Sequence, residues 1–209
     1  MADDVLATVD AFGLERPFGL GHSMGGAGLL LGEQARPGTF RSIYAYEPIV
    51  FPNIGLSEPP PIETNPLSAG ALRRRNTFSS KTEAIENYAA KAPLDCLDPE
   101  VLNAYVEYGF IDQPDGTVAL ACQREHEAEC YRMGGTHEGF GQLHQIKCPV
   151  VIASGVLTNA ISPEMARIQA NAIPNGTVNV FESLGHFGPL EDPTAVAKSA
   201  AGFFLDTGF

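Results

Sequence analysis

Positively charged side chains are scarce in this chain, which has 13 Lys and Arg against 25 Asp and Glu and a net charge of −12. Binding to nucleic acid or to anionic lipid requires a basic surface, so neither is expected as a partner. No apolar run approaches the roughly 20 residues that a membrane-spanning helix needs. The acidic start at residues 1–4 also lacks the apolar core of a signal peptide. The sequence therefore predicts a cytoplasmic protein with no membrane span.

Metal-binding patterns are missing as well. The four cysteines form no Cys-x-x-Cys pair, and no histidine lies at a zinc-finger interval from any of them. They are Cys96, Cys122, Cys130 and Cys148. We interpret all four as ordinary free thiols, and we predict no disulfide framework, no metal and no cofactor.

Hydrophobic residues make up 44% of the 209 residues, which is enough for one sizeable core in a chain too short for two independent domains. Four short apolar runs predict strands at residues 18–21, 42–46, 149–154 and 177–181. Helical patterns lie at residues 3–12, around residues 27–31, and after the starts at Ser162 and Asp192. This alternation predicts an α/β fold with a parallel, doubly wound sheet of about four strands.

Residues 52–147 break the alternation. The block opens with a proline-rich stretch at residues 52–66 and continues with polar helical patterns at residues 82–92, 99–108 and 124–132. We interpret it as a helical cap inserted into a core that consists of residues 1–51 and 148–209. The basic run at residues 73–75 is interpreted as a solvated helix face.

The run Gly-His-Ser-Met-Gly at residues 21–25 lies between a predicted strand and a predicted helix. In that setting a G-x-S-x-G motif places its serine on a sharp, strained turn, and small neighbours avoid steric clashes there. Ser23 is therefore a candidate nucleophile, and the N–H of Met24 at the helix start is a candidate donor to an oxyanion. The alternative is an ordinary glycine-rich turn with a buried serine.

A serine nucleophile needs a base, and His186 is the candidate by position. It follows the last predicted strand, and loops at the carboxyl ends of parallel strands are where α/β sites are assembled. His22 lies inside the motif, and its side chain is expected to point away from the serine. The other histidines are His126, His137 and His144, all in the inserted block. The alternative for His186 is a structural loop histidine.

Taken together, the chain resembles the α/β-hydrolase superfamily, as a serine hydrolase with a helical cap. The resemblance is carried by Gly-His-Ser-Met-Gly-Gly at residues 21–26 and by Leu-Gly-His-Phe-Gly-Pro-Leu-Glu at residues 184–191. It extends over essentially the whole chain and is specific for the superfamily, not for a substrate. It implies Ser23 as nucleophile, His186 as general base and acid, and the Met24 amide as one oxyanion donor.

The acid that orients the histidine departs from the family pattern. The family usually carries an aspartate shortly after the strand before the last, but residues 156–160 contain no carboxylate. Some members hold the acid at the end of the earlier strand, where Glu47 lies here, followed by Pro48. We therefore predict Glu47 as the acid, with Asn159 as the alternative that would hold the imidazole. In serine proteases an Asp-to-Asn change at this position lowers kcat by about four orders of magnitude.

The second departure concerns the strands that precede the motif in the family. This chain begins one helix before the motif, and the family loop that donates the second oxyanion N–H would lie upstream. Loss of one such donor lowers kcat by a factor on the order of 10²–10³. The edge at residues 18–21 would be apolar and unpaired, which favours self-association. We therefore expect an incomplete N-terminus, a fragment or a degenerate paralogue.

Two functions follow from these patterns. The first is hydrolysis of an ester, lactone or related acyl group of a small apolar molecule through an acyl-enzyme, with the cap shaping the pocket; carbon–carbon bond hydrolases and cofactor-free haloperoxidases of the superfamily remain open. The second is a catalytically impaired interaction module that lacks the oxyanion loop. A dinucleotide-binding site is disfavoured, because Met24 stands where the last glycine of G-x-G-x-x-G belongs.

Overall fold

The computed structural model describes residues 1–52 and 58–208. Contacts divide the chain into two compact units, each of which is described by itself. The described residues of the first unit are 1–52 and 137–208, and those of the second unit are 58–136. All residues that the sequence predicts for the site belong to the first unit.

Helices and strands alternate along the first unit, and short strands interrupt the helices of the second. The strands within the described residues are β1 (Gly19–His22), β2 (Ile43–Tyr46), β3 (Thr77–Phe78), β4 (Phe110–Asp112), β5 (Val118–Leu120), β6 (Val150–Gly155) and β7 (Gly176–Phe181). The α-helices there are α1 (Ala2–Ala11), α2 (Met24–Ala35), α3 (Pro66–Arg73), α4 (Lys81–Ala89), α5 (Pro99–Gly109), α6 (Arg124–Met133), α7 (Pro163–Asn171), α8 (Gly188–Glu191) and α9 (Pro193–Asp206), and 3₁₀ helices lie at Ile62–Thr64 and Gly139–Gln145. None of these helices has the length and apolar character needed to cross a membrane.

Four parallel strands form the sheet of the first unit, in the order β1-β2-β6-β7 within the described residues. The register places Gly21 beside Ala45, and Ala45 beside Ile152. The predicted sheet of four parallel strands is confirmed, and each strand lies within one residue of its predicted bounds. Because the strands are parallel, their carboxyl ends meet at one edge of the sheet, where sites of open α/β sheets are assembled.

Strands β2 and β6 are buried on both faces, which explains their nearly continuous apolar sequences. Alternate side chains of β2 enter two different hydrophobic clusters. Ile43 and Ala45 pack in one cluster with Leu30 of α2. Tyr44 and Tyr46 pack in the other with side chains of α9. The two clusters hold β2 from both sides and fix the position at which it ends.

The predicted helix starts at Ser162 and Asp192 are confirmed. Ser162 Oγ accepts the Met165 N–H at 3.2 Å, and Asp192 Oδ1 accepts the Ala195 N–H at 2.9 Å. A proline follows each cap, in the first helical position where a missing N–H does no harm. Caps of this kind contribute about 1 kcal/mol each to stability and set where α7 and α9 begin.

The second unit combines α3–α6 with a small antiparallel sheet, in the order β3-β5-β4 within residues 58–136. The sequence patterns miss this sheet, because strands of two or three residues show too little alternation to be recognised. Residues 137–147 belong to the first unit, where Leu143 and Ile146 are fully buried in the cluster around β2. That the inserted block caps a site stays a prediction.

The interpretation of residues 73–75 as a solvated face is wrong for Arg74. The Arg74 side chain is only 22% exposed and forms an ion pair with Glu127 at 3.1 Å. Its guanidinium also lies over the rings of Tyr88 and Tyr105. Arg74 therefore holds helices of the second unit together, with its charge paired and stacked on aromatic rings.

We predict that Gly155→Ala destabilises the first unit. A Cβ on Gly155 would overlap the backbone carbonyl of Leu184, which cannot move without displacing the loop after β7. Overpacking of this kind costs about 1–3 kcal/mol of unfolding free energy, measured by urea titration.

The matched control is Gly202→Ala. Gly202 lies on the exposed side of α9, where a Cβ would meet nothing within 4 Å. An alanine there should raise the unfolding free energy by about 0.5–1 kcal/mol, because it restricts the unfolded chain and favours helix. Equal effects of the two substitutions would contradict the close approach at Gly155.

Candidate active site

The turn between β1 and α2 holds Ser23 in a backbone conformation that residues with a side chain rarely adopt. Its φ is 52° and its ψ is −115°. Such a conformation costs about 1–3 kcal/mol and persists only where the surroundings enforce it. Here the Ser23 N–H donates to the Tyr46 carbonyl at 2.9 Å, and the Ser23 carbonyl accepts the Ala27 N–H at 3.0 Å. Hydrogen bonds therefore hold both the N–H and the carbonyl of the strained residue.

Close approach explains two of the glycines in the motif. A Cβ on Gly21 would lie 2.7 Å from the Gly26 nitrogen, so no larger residue fits. A Cβ on Gly26 would lie 3.2 Å from the Pro48 Cβ, which is tight. At Gly25 a Cβ would meet nothing within 4 Å. The sharp turn thus depends on Gly21 above all, and the glycine at position 25 is not required by packing.

The loop after β7 presents His186 and is held at several points. The Leu157 N–H donates to the Leu184 carbonyl at 2.9 Å. At Gly185, Glu191 accepts the backbone N–H at 2.8 Å and the Tyr46 hydroxyl donates to the carbonyl at 2.8 Å. Burial raises the pKa of the Tyr46 phenol well above its ordinary value, so this hydroxyl remains a donor.

Glu47, at the carboxyl end of β2, is fully buried and has a positive φ of 46°. Its Oε1 accepts the Gly155 N–H at 3.1 Å. Its Oε2 accepts the Thr158 hydroxyl at 2.7 Å and the Ile161 N–H at 3.3 Å. The His186 Nδ1 lies 2.7 Å from the same Oε2. A buried carboxylate needs such donors, since burial without them is very costly.

The contact with Glu47 fixes the protonation of the His186 ring. A carboxylate oxygen accepts, so Nδ1 carries the proton and Nε2 is left with a free lone pair when the ring is neutral. Asn159, the alternative partner, is exposed and has no hydrogen bond to any described residue. The structure thus brings Glu47 to His186 and leaves Asn159 apart. Thr158, the residue before Asn159, donates a hydrogen bond to Glu47, and the sequence patterns do not identify it.

Ser23 and Met24 stand at the start of α2. Met24 is the first residue of that helix, and the first N–H groups of a helix have no partner within it. Together with the helix dipole, such groups favour a negative charge above the turn. The Ser23 hydroxyl has no hydrogen bond to His186 or to any other described residue. In free enzymes a nucleophile–base bond is often long and tightens only when substrate binds.

His22 lies beside His186, with the ring centroids 4.8 Å apart. Its Nε2 is 2.8 Å from the His186 carbonyl oxygen, which can only accept, so Nε2 carries the proton. Burial, followed by the proximity of His186, lowers the pKa of His22 to about 4. His22 is therefore neutral at neutral pH. Its sequence position beside Ser23 did not reveal this contact with a residue 164 positions away.

Comparison with known proteins gives a family and a fold. The sequence model of the Alpha/beta hydrolase family matches residues 1–199. No curated protein matches the sequence. Among solved structures, E-2-(acetamidomethylene)succinate hydrolase superposes with a TM-score of 0.80 at 18% identity, over 97% of this chain and 72% of that one.

Two further structures show the same fold. The peroxisomal alpha-beta-hydrolase Lpx1 of Saccharomyces cerevisiae has a TM-score of 0.77 at 16% identity, over 90% of this chain and 53% of that one. A thermophilic esterase from Thermogutta terrifontis has a TM-score of 0.67 at 18% identity, over 100% of this chain and 72% of that one. The chain thus spans between about half and three quarters of these relatives. Identities this low establish the α/β-hydrolase fold alone.

We predict that Thr158→Val lowers the unfolding free energy by about 1.5–3 kcal/mol at neutral pH, because the Glu47 carboxylate loses a hydroxyl donor in a buried position. Thr158→Ser keeps the hydroxyl and should stay within about 1 kcal/mol of the parent. Urea titrations of the three proteins provide the measurement. Equal losses in both variants would mean that the methyl group matters as much as the hydroxyl, and a larger loss in Thr158→Ser would contradict the role of the hydroxyl.

A second prediction concerns acid stability. Between its ordinary pKa of 6.5 and its folded value of about 4, His22 takes up a proton in the unfolded chain and not in the folded one. Its contribution is therefore fully present above pH 6.5 and is lost as the pH falls towards 4, by about 3 kcal/mol in all. Urea titrations at several pH values should show this slope in the parent and a shallower one in His22→Gln. Parallel slopes would contradict a neutral, buried His22.

Proposed function

Because the chain belongs to the alpha/beta hydrolase family, we propose that it is a serine-dependent hydrolase of an ester, lactone or related acyl substrate. The observation that carries the proposal is the hydrogen bond of 2.7 Å between His186 Nδ1 and the buried Glu47. It lies at the same edge of the sheet as the strained Ser23 turn. A nucleophile, a base and an acid that orients the base are the parts that acyl transfer requires.

The first half of the reaction forms an acyl-enzyme. The Ser23 oxygen attacks the carbonyl carbon of the substrate while His186 Nε2 takes the hydroxyl proton. The resulting imidazolium is stabilised by Glu47, whose charge lies 2.7 Å from Nδ1. The Met24 N–H donates to the oxyanion of the tetrahedral intermediate. Collapse of that intermediate expels the alcohol, which receives the proton from Nε2.

The second half returns the enzyme to its starting state. Water attacks the acyl carbon while His186 Nε2 accepts one of its protons, and the proton then passes to the Ser23 oxygen as it leaves. The product is a carboxylic acid. All proton transfers use one nitrogen, because the bond from Nδ1 to Glu47 keeps the other nitrogen protonated throughout.

The similar proteins support the class of reaction and not the substrate. One is a hydrolase of an acetamidomethylene succinate and another is an esterase, according to their names. We propose a small apolar acyl substrate, and the predicted cap at residues 52–147 is part of this proposal. Family membership does not fix the acyl and leaving groups that the proposed site accepts.

The sheet edge favours a second candidate, an interaction module with little turnover. Within the described residues, β1 pairs only with β2, and Leu20 on β1 is 56% exposed. An apolar groove of about 270 Å³ lies beside it, between β1, α1 and Phe40. Unpaired apolar edges are suited to pairing with another strand, so this candidate predicts self-association through β1.

We predict that a fluorophosphonate probe labels the protein and that Ser23→Ala abolishes both labelling and turnover of a short-chain chromogenic ester. The probe reacts only with a serine that an adjacent base activates. The matched control is Ser80→Ala, since the Ser80 hydroxyl caps α4 by accepting the Glu83 N–H. That variant should lose about 1 kcal/mol of stability and keep its labelling.

Labelling that persists in Ser23→Ala would contradict the assignment of the nucleophile. A folded parent with neither labelling nor turnover would reject the hydrolase proposal. If sedimentation at several concentrations then showed association, the second candidate would be favoured.

A further inference from the structure

His22 takes part in none of the proposed steps of acyl transfer, but it contacts His186, the proposed base. Its Nε2–H donates to the main-chain carbonyl of His186 at 2.8 Å. The contact joins the end of β1 to the loop after β7, which are not neighbours in the sheet. Hydrogen bonds between backbone and side chain over such a distance constrain a loop at one defined point.

The His186 residue is thereby fixed at two places. Its ring is held by Glu47 at the end of β2, and its main chain is held by His22 at the end of β1. Leu184 and Gly185 keep their own hydrogen bonds without His22, but the carbonyl of His186 would lose its partner, and the residue could rotate and carry Nε2 with it. With both contacts, the carbonyl and Nδ1 are fixed, and the position of Nε2 follows from them.

His22, which binds the main chain of His186, is also the residue directly before Ser23. The Ser23 N–H is bonded to the Tyr46 carbonyl, and Tyr46 directly precedes Glu47. This backbone hydrogen bond, which follows the pairing of β1 with β2, links Ser23 to the residue before Glu47. The hydrogen bond from His22 connects His186 to the same segments of backbone. A displacement of the turn at Ser23 would therefore move the nucleophile, the acid and the base together.

The surroundings of His22 keep it uncharged. The titratable groups that face it are His186, Glu47 and Tyr46, and the ring of Phe187 lies 6.1 Å away. A proton on His22 would place a second positive charge beside the imidazolium that forms on His186 during acyl transfer. A neutral donor supplies the hydrogen bond without that repulsion.

We propose that His22 is a positioning residue, whose Nε2–H ties the main chain of His186 to the nucleophile turn and so sets the separation of base and nucleophile. This inference rests on the proposed hydrolase function. It assigns His22 no contact with substrate. Its effect should therefore fall on the rate of acyl transfer and not on binding of the substrate.

The test compares His22→Gln with His22→Asn. Both carry the same amide, but only the longer glutamine places its nitrogen near the position of the histidine Nε2. We expect His22→Asn to lower kcat by about 10–100-fold with KM nearly unchanged, as for a misplacement of about 1 Å. We expect His22→Gln to restore kcat to within about fivefold of the parent. His144→Gln, at an exposed position of the 3₁₀ helix Gly139–Gln145, is the control that should not change kcat.

A second measurement does not depend on turnover. The proton that His186 Nδ1 shares with Glu47 should give a low-field proton resonance, present in the parent and in His22→Gln and broadened in His22→Asn. If the parent shows no serine-dependent turnover, the hydrolase proposal fails and this resonance still tests the anchor. Equal kcat values for the two variants, or an unchanged resonance in a folded His22→Asn, would overturn the positioning role.

Discussion

The buried carboxylate of Glu47 is the constraint on which the rest of the site depends. A charge without water must be matched by donors, and these come from Gly155, Thr158, Ile161 and His186. They belong to the end of β6, the loop after it and the loop after β7. Removing any one of them leaves the charge less satisfied at a cost of about 1–3 kcal/mol. Hydrogen bonds to this carboxylate therefore hold the loop after β6 and the loop after β7 at the same edge of the sheet.

Much of the fold and part of the candidate site could be predicted from the sequence, because local patterns of residues indicate them. The apolar runs of β2 and β6 mark strands buried on both faces, and the caps at Ser162 and Asp192 mark helix starts. The glycines around Ser23 predict the sharp turn in which Ser23 has a positive φ. Glu47 is a candidate because the resemblance implies that some members of the superfamily hold the acid at the end of this strand.

What the patterns miss depends on contacts between distant parts of the chain. Thr158 lies 111 positions from Glu47 and looks like any loop threonine until the fold brings them together. The sequence predicts only that His22 points away from Ser23, and its hydrogen bond to the His186 carbonyl spans 164 positions. The basic run predicts a solvated Arg74, but its guanidinium is paired with Glu127 and stacked on Tyr88 within the second unit. Strands as short as β3 carry too few residues to show a period.

Because the acid comes from the end of β2, the loop after β6 does not have to supply a carboxylate. In this chain the end of β6 and the loop after it give the carboxylate hydroxyl and backbone N–H donors, among them those of Gly155, Thr158 and Ile161. Backbone amides are present whatever the side chain. Val156 and Leu157 in that loop are 44% and 69% exposed. Evolution can therefore exchange those side chains, and with them the apolar surface beside the site, without altering the charge that orients the imidazole.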